Sequence, residues 1–185
     1  MWLYILLGIV AVIAGFVVFI ASRPSEFRTS RSAKMAAPPS AAFDQVNNLR
    51  SWDAWSPWAK LDPDCKNTYE GPSAGKGAKF HWAGNNQVGE GRMEIIDSRP
   101  SELVRLRLDF LKPFKATNTA EFTFKPEGGQ TTVTWSMFGR NNFMFKAMGL
   151  FMNCDKMVGG QFEQGLANMK SVVEHSGAAE LSAAR

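Results

Sequence analysis

Between Asn67 and Gly139, strand-like segments follow one another with only short Gly- and Pro-bearing turns between them and no helical pattern in between. Parallel strands need a crossover of a dozen or more residues, usually a helix, so this stretch excludes a doubly wound parallel design and predicts an antiparallel meander. The clearest segments are Ala78 to Ala83, Gly89 to Asp97, Glu102 to Phe110, Ala116 to Lys125 and Thr131 to Gly139. In ELVRLRLDF, Val104, Leu106, Leu108 and Phe110 take one face, and Arg105, Arg107 and Asp109 the other. Ala120, Phe122 and Phe124 stand opposite Thr119, Glu121 and Thr123 in the same way. Period-two alternation of this kind marks a sheet with one wet face and one covered face.

The cover is expected from the end of the chain. From Phe143 to about Glu174 there is no proline, and Met144, Met148, Phe151, Met152, Val158, Phe162, Leu166, Met169 and Val173 recur at three- and four-residue steps. That period predicts one long amphipathic helix. Gly159-Gly160 in its middle costs about 1 kcal/mol per glycine relative to alanine, which points to a kink or a close approach there. Upstream, Phe27 to Met35 reads as a first strand with Phe27, Thr29, Ala33 and Met35 on one face. Pro38-Pro39 then opens a short helix with Phe43, Val46 and Leu49 as its stripe. The tryptophans of WDAWSPW (Trp52, Trp55, Trp58) follow, as a rim, a membrane-facing patch or a packed corner.

Residues 1–22 carry no charged side chain, and at about 1.5 Å per helical residue they span roughly 33 Å, enough for a hydrocarbon core about 30 Å thick. Nothing charged precedes the apolar run, and Ile20-Ala21-Ser22 is a poor cleavage site, so an uncleaved anchor is expected rather than a secretory signal. Arg23, Arg28, Arg31 and Lys34 form a basic collar against Glu26 alone. Short basic flanks stay in the cytoplasm, which places the amino terminus outside and the bulk of the chain inside. The expected organisation is an anchor (1–22), a short basic linker (23–26), one domain (27–174) and a flexible tail (175–185), with the domain held almost on the membrane. Gly8, Ala11 and Gly15 share a helical face, a small-residue stripe compatible with weak pairing of two anchors.

The chain has 21 Lys+Arg and 17 Asp+Glu; beyond Lys34 there remain 17 bases and 16 acids. The basic pI therefore belongs to the collar, and the near-neutral domain speaks against nucleic-acid binding, which needs a basic face. Two cysteines 89 positions apart (Cys65, Cys154) and two histidines do not supply the close ligand spacings of a structural metal site, so reduced thiols and no metal are expected. GPSAGKG (Gly71 to Gly77) has three residues between its outer glycine and the next rather than four, and Gly77 follows Lys76 where a phosphate loop has Ser or Thr; it is a turn. No cofactor motif appears, and none is expected to be bound.

Strand, short helices, antiparallel meander and long final helix is the order of an α+β helix-grip fold. RSAKMAAPPSAAF (Arg31 to Phe43), WDAWSPWAKLDP (Trp52 to Pro63), GEGRMEI (Gly89 to Ile95) and the stretch from Thr132 to Lys170 together resemble the SRPBCC superfamily, and within it the START-like members of polyketide cyclase/dehydrase type. The resemblance covers roughly residues 27 to 174. It implies a curved sheet gripping the last helix around an apolar cavity. Members of that superfamily include cyclases and lipid carriers with no shared catalytic set, so fold alone supplies no activity.

For a cavity between sheet and helix, the inward phase nominates Phe80, Trp82, Met93, Leu106, Asn118, Phe122, Trp135 and Met137 from the strands. Met148, Met152, Asp155 and Phe162 are nominated from the helix. Asn118 would offer an amide to a ligand's polar end. Asp155 is the best proton-handling candidate, although pairing with Lys156 or a strand cation would account for it equally. His81 faces away from Phe80 and Trp82, and His175 closes the last helix, where a cation suits the dipole. The expected function is a membrane-tethered binder of a hydrophobic small molecule or lipid. A cyclase/dehydrase-type enzyme and a partner-binding scaffold with a filled core are the alternatives.

Overall fold

A computed structural model describes residues 1–183, with side-chain surroundings through Ser176. In chain order it contains helix α1 (Trp2–Ser22), strand β1 (Glu26–Met35), helix α2 (Pro39–Asn47), a 3-10 turn (Leu49–Ala54), strands β2 (Lys66–Glu70), β3 (Lys79–Ala83), β4 (Glu90–Arg99), β5 (Leu103–Lys112), β6 (Ala116–Glu127) and β7 (Gln130–Arg140), then helices α3 (Phe143–Met148) and α4 (Cys154–Ala183). The sheet is seven-stranded and antiparallel throughout, ordered β1-β7-β6-β5-β4-β3-β2. The curved sheet with a final helix on one face is the helix-grip arrangement that the sequence pattern predicts.

Local chemistry explains the turns. Gly128 and Gly129 both adopt positive φ (57° and 83°) between β6 and β7, where a two-residue hairpin compatible with strand twist needs the left-handed region. Gly71 also sits at positive φ, against the Gly77 carbonyl where any Cβ would collide, and GPSAGKG forms the β2–β3 connection.

One expectation needs correction. The predicted single helix from Phe143 is broken: α3 ends at Met148 and α4 begins at Cys154. Asn142 Oδ1 accepts from Phe145 N to start α3, Gly149 closes it, and Asn153 Oδ1 accepts from Lys156 N to start α4. Caps at both ends satisfy the orphaned backbone groups of two helices, and so outweigh an apolar period that runs on across the gap. α4 continues through Ala183 into the segment expected as a tail (175–185), of which Ala184 and Arg185 lie outside the described residues.

The core lies between the concave face of the sheet and a layer made of α2, the 3-10 turn and α4. Trp52 and Trp55 are buried there, their indole Nε1 groups donating to the Val46 and Gln45 carbonyls at 3.0 and 3.1 Å. The tryptophan cluster is thus a packed corner, with Trp58 half-buried at its edge. Among the described residues α1 is the one helix long and apolar enough to cross a membrane, and Ile20 is its only buried residue.

Candidate functional site

Antiparallel register sorts the concave face into rows. One row joins Arg31, Trp135, Phe122 and Val104 across β1, β7, β6 and β5. Two residues further along come Thr29, Met137, Ala120, Leu106 and Ile95. The next row holds Phe27, Gly139, Asn118, Leu108, Met93, Phe80 and Tyr69 and reaches all seven strands. Each step is roughly 7 Å at strand rise, so the face is about 14 Å deep over these rows.

The first row is sealed. Trp135 stacks on Phe162 of α4 with centroids 4.1 Å apart and planes 10° from parallel, and on Phe122 at 4.8 Å. Trp52 and Trp55 close over the same pair edge-on. Phe122, Trp135 and Phe162, with Leu106 of the second row, are buried in the core. Aromatic packing at strand parity looks identical in sequence whether a ligand or a tryptophan roofs it.

The third row is open by comparison. Phe27, Phe80, Leu108, Asn118 and Tyr69 are half-buried, as are Trp82 and Phe110 beside them. Phe80 stacks between Tyr69 (5.0 Å) and Trp82 (5.8 Å), and Trp82 fixes its ring by donating Nε1 to the Val88 carbonyl at 3.1 Å. Gly91 lets the Trp82 ring lie against the β4 backbone, where a Cβ would collide with it. Asn118 packs its Oδ1 against Gly139 and brings Nδ2 within 4.0 Å of Met137 Sδ, the one side-chain amide in an otherwise apolar row.

The row stays open because α4 leans to one edge, packing chiefly on β1. Arg31 holds it there. From β1 its Nε donates to Glu163 Oε1 at 2.7 Å and its Nη2 to Asp155 Oδ2 at 3.1 Å, one turn to either side of Gly159. The Asp155 carboxyl is held below the ordinary range by Arg31 first and by the Thr29 hydroxyl second. Its side chain is 58% exposed and ionised, which suits an ion pair and not a group that trades protons with a ligand. Of the other nominated helix residues, Met148 is half-buried on α3 and Met152 is exposed in the connection, both outside the sealed core.

Phe27, Tyr69, Leu108 and Phe110 lie in or beside the open row and Arg31 anchors α4 at its edge, and none of the five is among the nominated residues. Strand parity places Arg31 between Thr29 and Ala33 on the inward face of β1, and a cation at an inward position is the signal that an acid on the covering helix will meet it.

The convex face carries a groove of about 430 Å³ lined by charged side chains of both signs, including Glu70, His81, Arg92, Arg107 and Asp109. Burial alone would push the Asp109 carboxyl up, but hydrogen bonds from Thr117, Arg92 and Arg107 outweigh it and hold the carboxyl below the usual range. This self-neutralising cluster ties β4, β5 and β6 together. No group of three or more His, Cys, Asp or Glu is arranged to hold a metal among the described residues.

A curved antiparallel sheet with a long final helix packed on one face defines the helix-grip class of domain. The chain belongs to the family described as polyketide cyclase / dehydrase and lipid transport, which matches residues 26–174. No curated protein matches the chain. Its fold is similar to that of a protein of unknown function, SA2116 from Staphylococcus aureus, at 12% identity over 84% of this chain and 98% of that one, with a TM-score of 0.61. CV1439 from Chromobacterium violaceum aligns at 14% identity over 82% and 99%, with a TM-score of 0.56. DynU16, a putative protein in the dynemicin biosynthetic locus, aligns at 13% over 80% and 47%, with a TM-score of 0.55. Identities this low establish the shared fold alone.

Proposed function

We propose that this protein binds a hydrophobic small molecule or lipid on the open half of its concave face while α1 tethers it to a membrane with the domain on the cytoplasmic side. The observation that carries the reading is the row Phe27, Asn118, Leu108, Phe80, half-buried and apolar apart from one amide, which α4 leaves unsealed. Ligand sites combine such apolar lining with few convergent polar groups, and here Asn118 is the group that would orient a polar end. The family's description, with its mention of lipid transport, supports the ligand class. Binding is favoured over catalysis because Asp155, the one acid nominated for proton handling, is paired with Arg31, and His81 lies on the convex face 4.0 Å from Glu90, as its strand parity predicts. A small-residue face of Gly8, Ala11 and Gly15 would let two anchors approach.

Native mass spectrometry of the full chain, extracted into nanodiscs and released in the gas phase, tests the reading and reports the oligomer as well. A co-purifying apolar molecule that is lost in Leu108→Trp, which fills the open row, is the expected result. A wild-type chain that carries no adduct after incubation with membrane lipid extract overturns it.

A further inference from the structure

The α3 segment has no role in the site described above, yet it has unusual composition and position. It abuts the last turn of α1: Lys146 Nζ donates to the Ala21 carbonyl at 3.0 Å, and Ile20 is 3% exposed while the rest of α1 stands free. The end of β7 is fastened to the same place, Asn141 N donating to the Ser25 carbonyl at 2.7 Å. Around this junction large apolar side chains point outward. Phe143, Met144, Phe151 and Met157 are 48%, 55%, 82% and 56% exposed, and Phe114 of the β5–β6 connection joins them through an edge-on contact with Phe145. Isolated exposed hydrophobes are ordinary; a contiguous set on one end of a domain marks a contact surface.

What covers it follows from the neighbours. Across residues 112–116 and 141–157 the bases are Lys112, Lys115, Lys146 and Lys156 and the one acid is Asp155; with Asp155 paired to Arg31 and Lys112 to Glu90, the cations of this stretch are Lys115, Lys146 and Lys156. Aromatic and methionine side chains interleaved with lysines are the composition of an element that lies in a membrane interface over anionic headgroups. If α1 crosses a bilayer, its last turn sits at headgroup depth, and whatever packs on Ile20 and Ala21 sits there too. Resting on the tethering reading, the geometry points to α3, the 149–153 connection and Phe114 as a second membrane contact, a lip that seats in the anionic interface of the bilayer holding α1. The same lip follows directly from the Gly139 end of β7, so the open concave row ends at the lipid surface and a ligand enters it from the bilayer without crossing water.

Single-cysteine forms of the full chain test this in phosphatidylcholine vesicles containing phosphatidylglycerol, with Cys65→Ser and Cys154→Ser as background. A fluorophore is placed at Met144→Cys or Phe151→Cys in the lip, at Glu102→Cys in the β4–β5 turn at the far end, and at Val12→Cys in α1. Quenching by a doxyl-labelled lipid several-fold stronger at positions 144 and 151 than at 102, with iodide accessibility reduced to match, is the expected result. Position 12 reports the tether separately: quenched at 12 but water-exposed at 144 and 151 overturns the lip and leaves the tether standing. Labels at 144 and 151 shielded from both quenchers would mean that protein covers the face, which also overturns the proposal. Both lip positions are exposed, so folding does not depend on them.

Discussion

The Arg31 guanidinium lies directly over Gly159 of α4, in the space a Cβ at that position would occupy. The glycine therefore serves as a seat. Asp155 and Glu163 stand one turn before and after it, and together the three positions let a strand cation dock into the middle of a helix. The adjacent Gly160 has open space around its Cβ position. A pair of glycines that reads as one helix-weakening feature thus divides into one with a task and one without.

Gly160→Ala is expected to stabilise the chain by about 0.5–1 kcal/mol, since alanine is the better helix former and nothing is displaced. Gly159→Ala is expected to forfeit that gain by evicting Arg31 from its two carboxylates. In an Arg31→Ala background the gain should reappear at 159. Urea unfolding of the full chain in detergent micelles, taken through this double-mutant cycle, should give a non-additive coupling between 31 and 159. Additive effects would show that Arg31 does not need the seat.

Asp109 supplies a pH-dependent term. Its folded pKa is depressed, so the stability it contributes is present above its unfolded value of about 4 and is lost as pH falls through the folded value. Asp109→Asn leaves Arg92, Arg107 and Thr117 without a carboxylate, at a cost of about 1–3 kcal/mol at pH 7. Unfolding midpoints of wild type and variant should differ at pH 7 and converge below about pH 4. A constant gap across that range would remove the ionised carboxylate from the explanation.

The strands were legible because one face of the sheet is wet: Arg105 and Arg107 alternating with Val104, Leu106 and Leu108 can be satisfied in no other way. The break at Gly149–Asn153 was not, because apolar spacing continues through it while Asn153, the residue that caps α4, looks like an ordinary polar position of a helix. Nor could parity tell the sealed row from the open one. That difference depends on Trp52 and Trp55, which reach Trp135 across some eighty positions of chain, and on Arg31 drawing α4 toward β1.

Trp55 and Trp135 are both buried in that cluster, but their indole nitrogens differ. Trp55 Nε1 donates to the Gln45 carbonyl at 3.1 Å, whereas Trp135 Nε1 has no protein acceptor. Trp55→Phe loses ring area and strands a carbonyl, about 1–3 kcal/mol beyond the packing loss. Trp135→Phe loses area alone. Thermal melts should therefore rank Trp55→Phe below Trp135→Phe, and the reverse order would show that the stacking of the Trp135 ring on Phe162 and Phe122 outweighs the Trp55 hydrogen bond.

The two halves of the concave face should separate stability from binding. Phe162→Ala empties the stack on Trp135, a fully enclosed site that cannot collapse without moving α4, and is expected to cost about 3–5 kcal/mol. Phe80→Ala removes a ring that is already half in solvent at the open row, so the cavity it leaves is continuous with water and the stability cost should be markedly smaller. Binding should follow the opposite order. Titration with a fluorescent fatty-acyl probe at a temperature where all forms are folded should show affinity falling in Phe80→Ala and in Asn118→Leu, and holding in Phe162→Leu, which keeps the core filled. If Phe162→Leu weakens the probe and Phe80→Ala does not, the ligand lies deeper than the sealed row allows and the open face is only a surface.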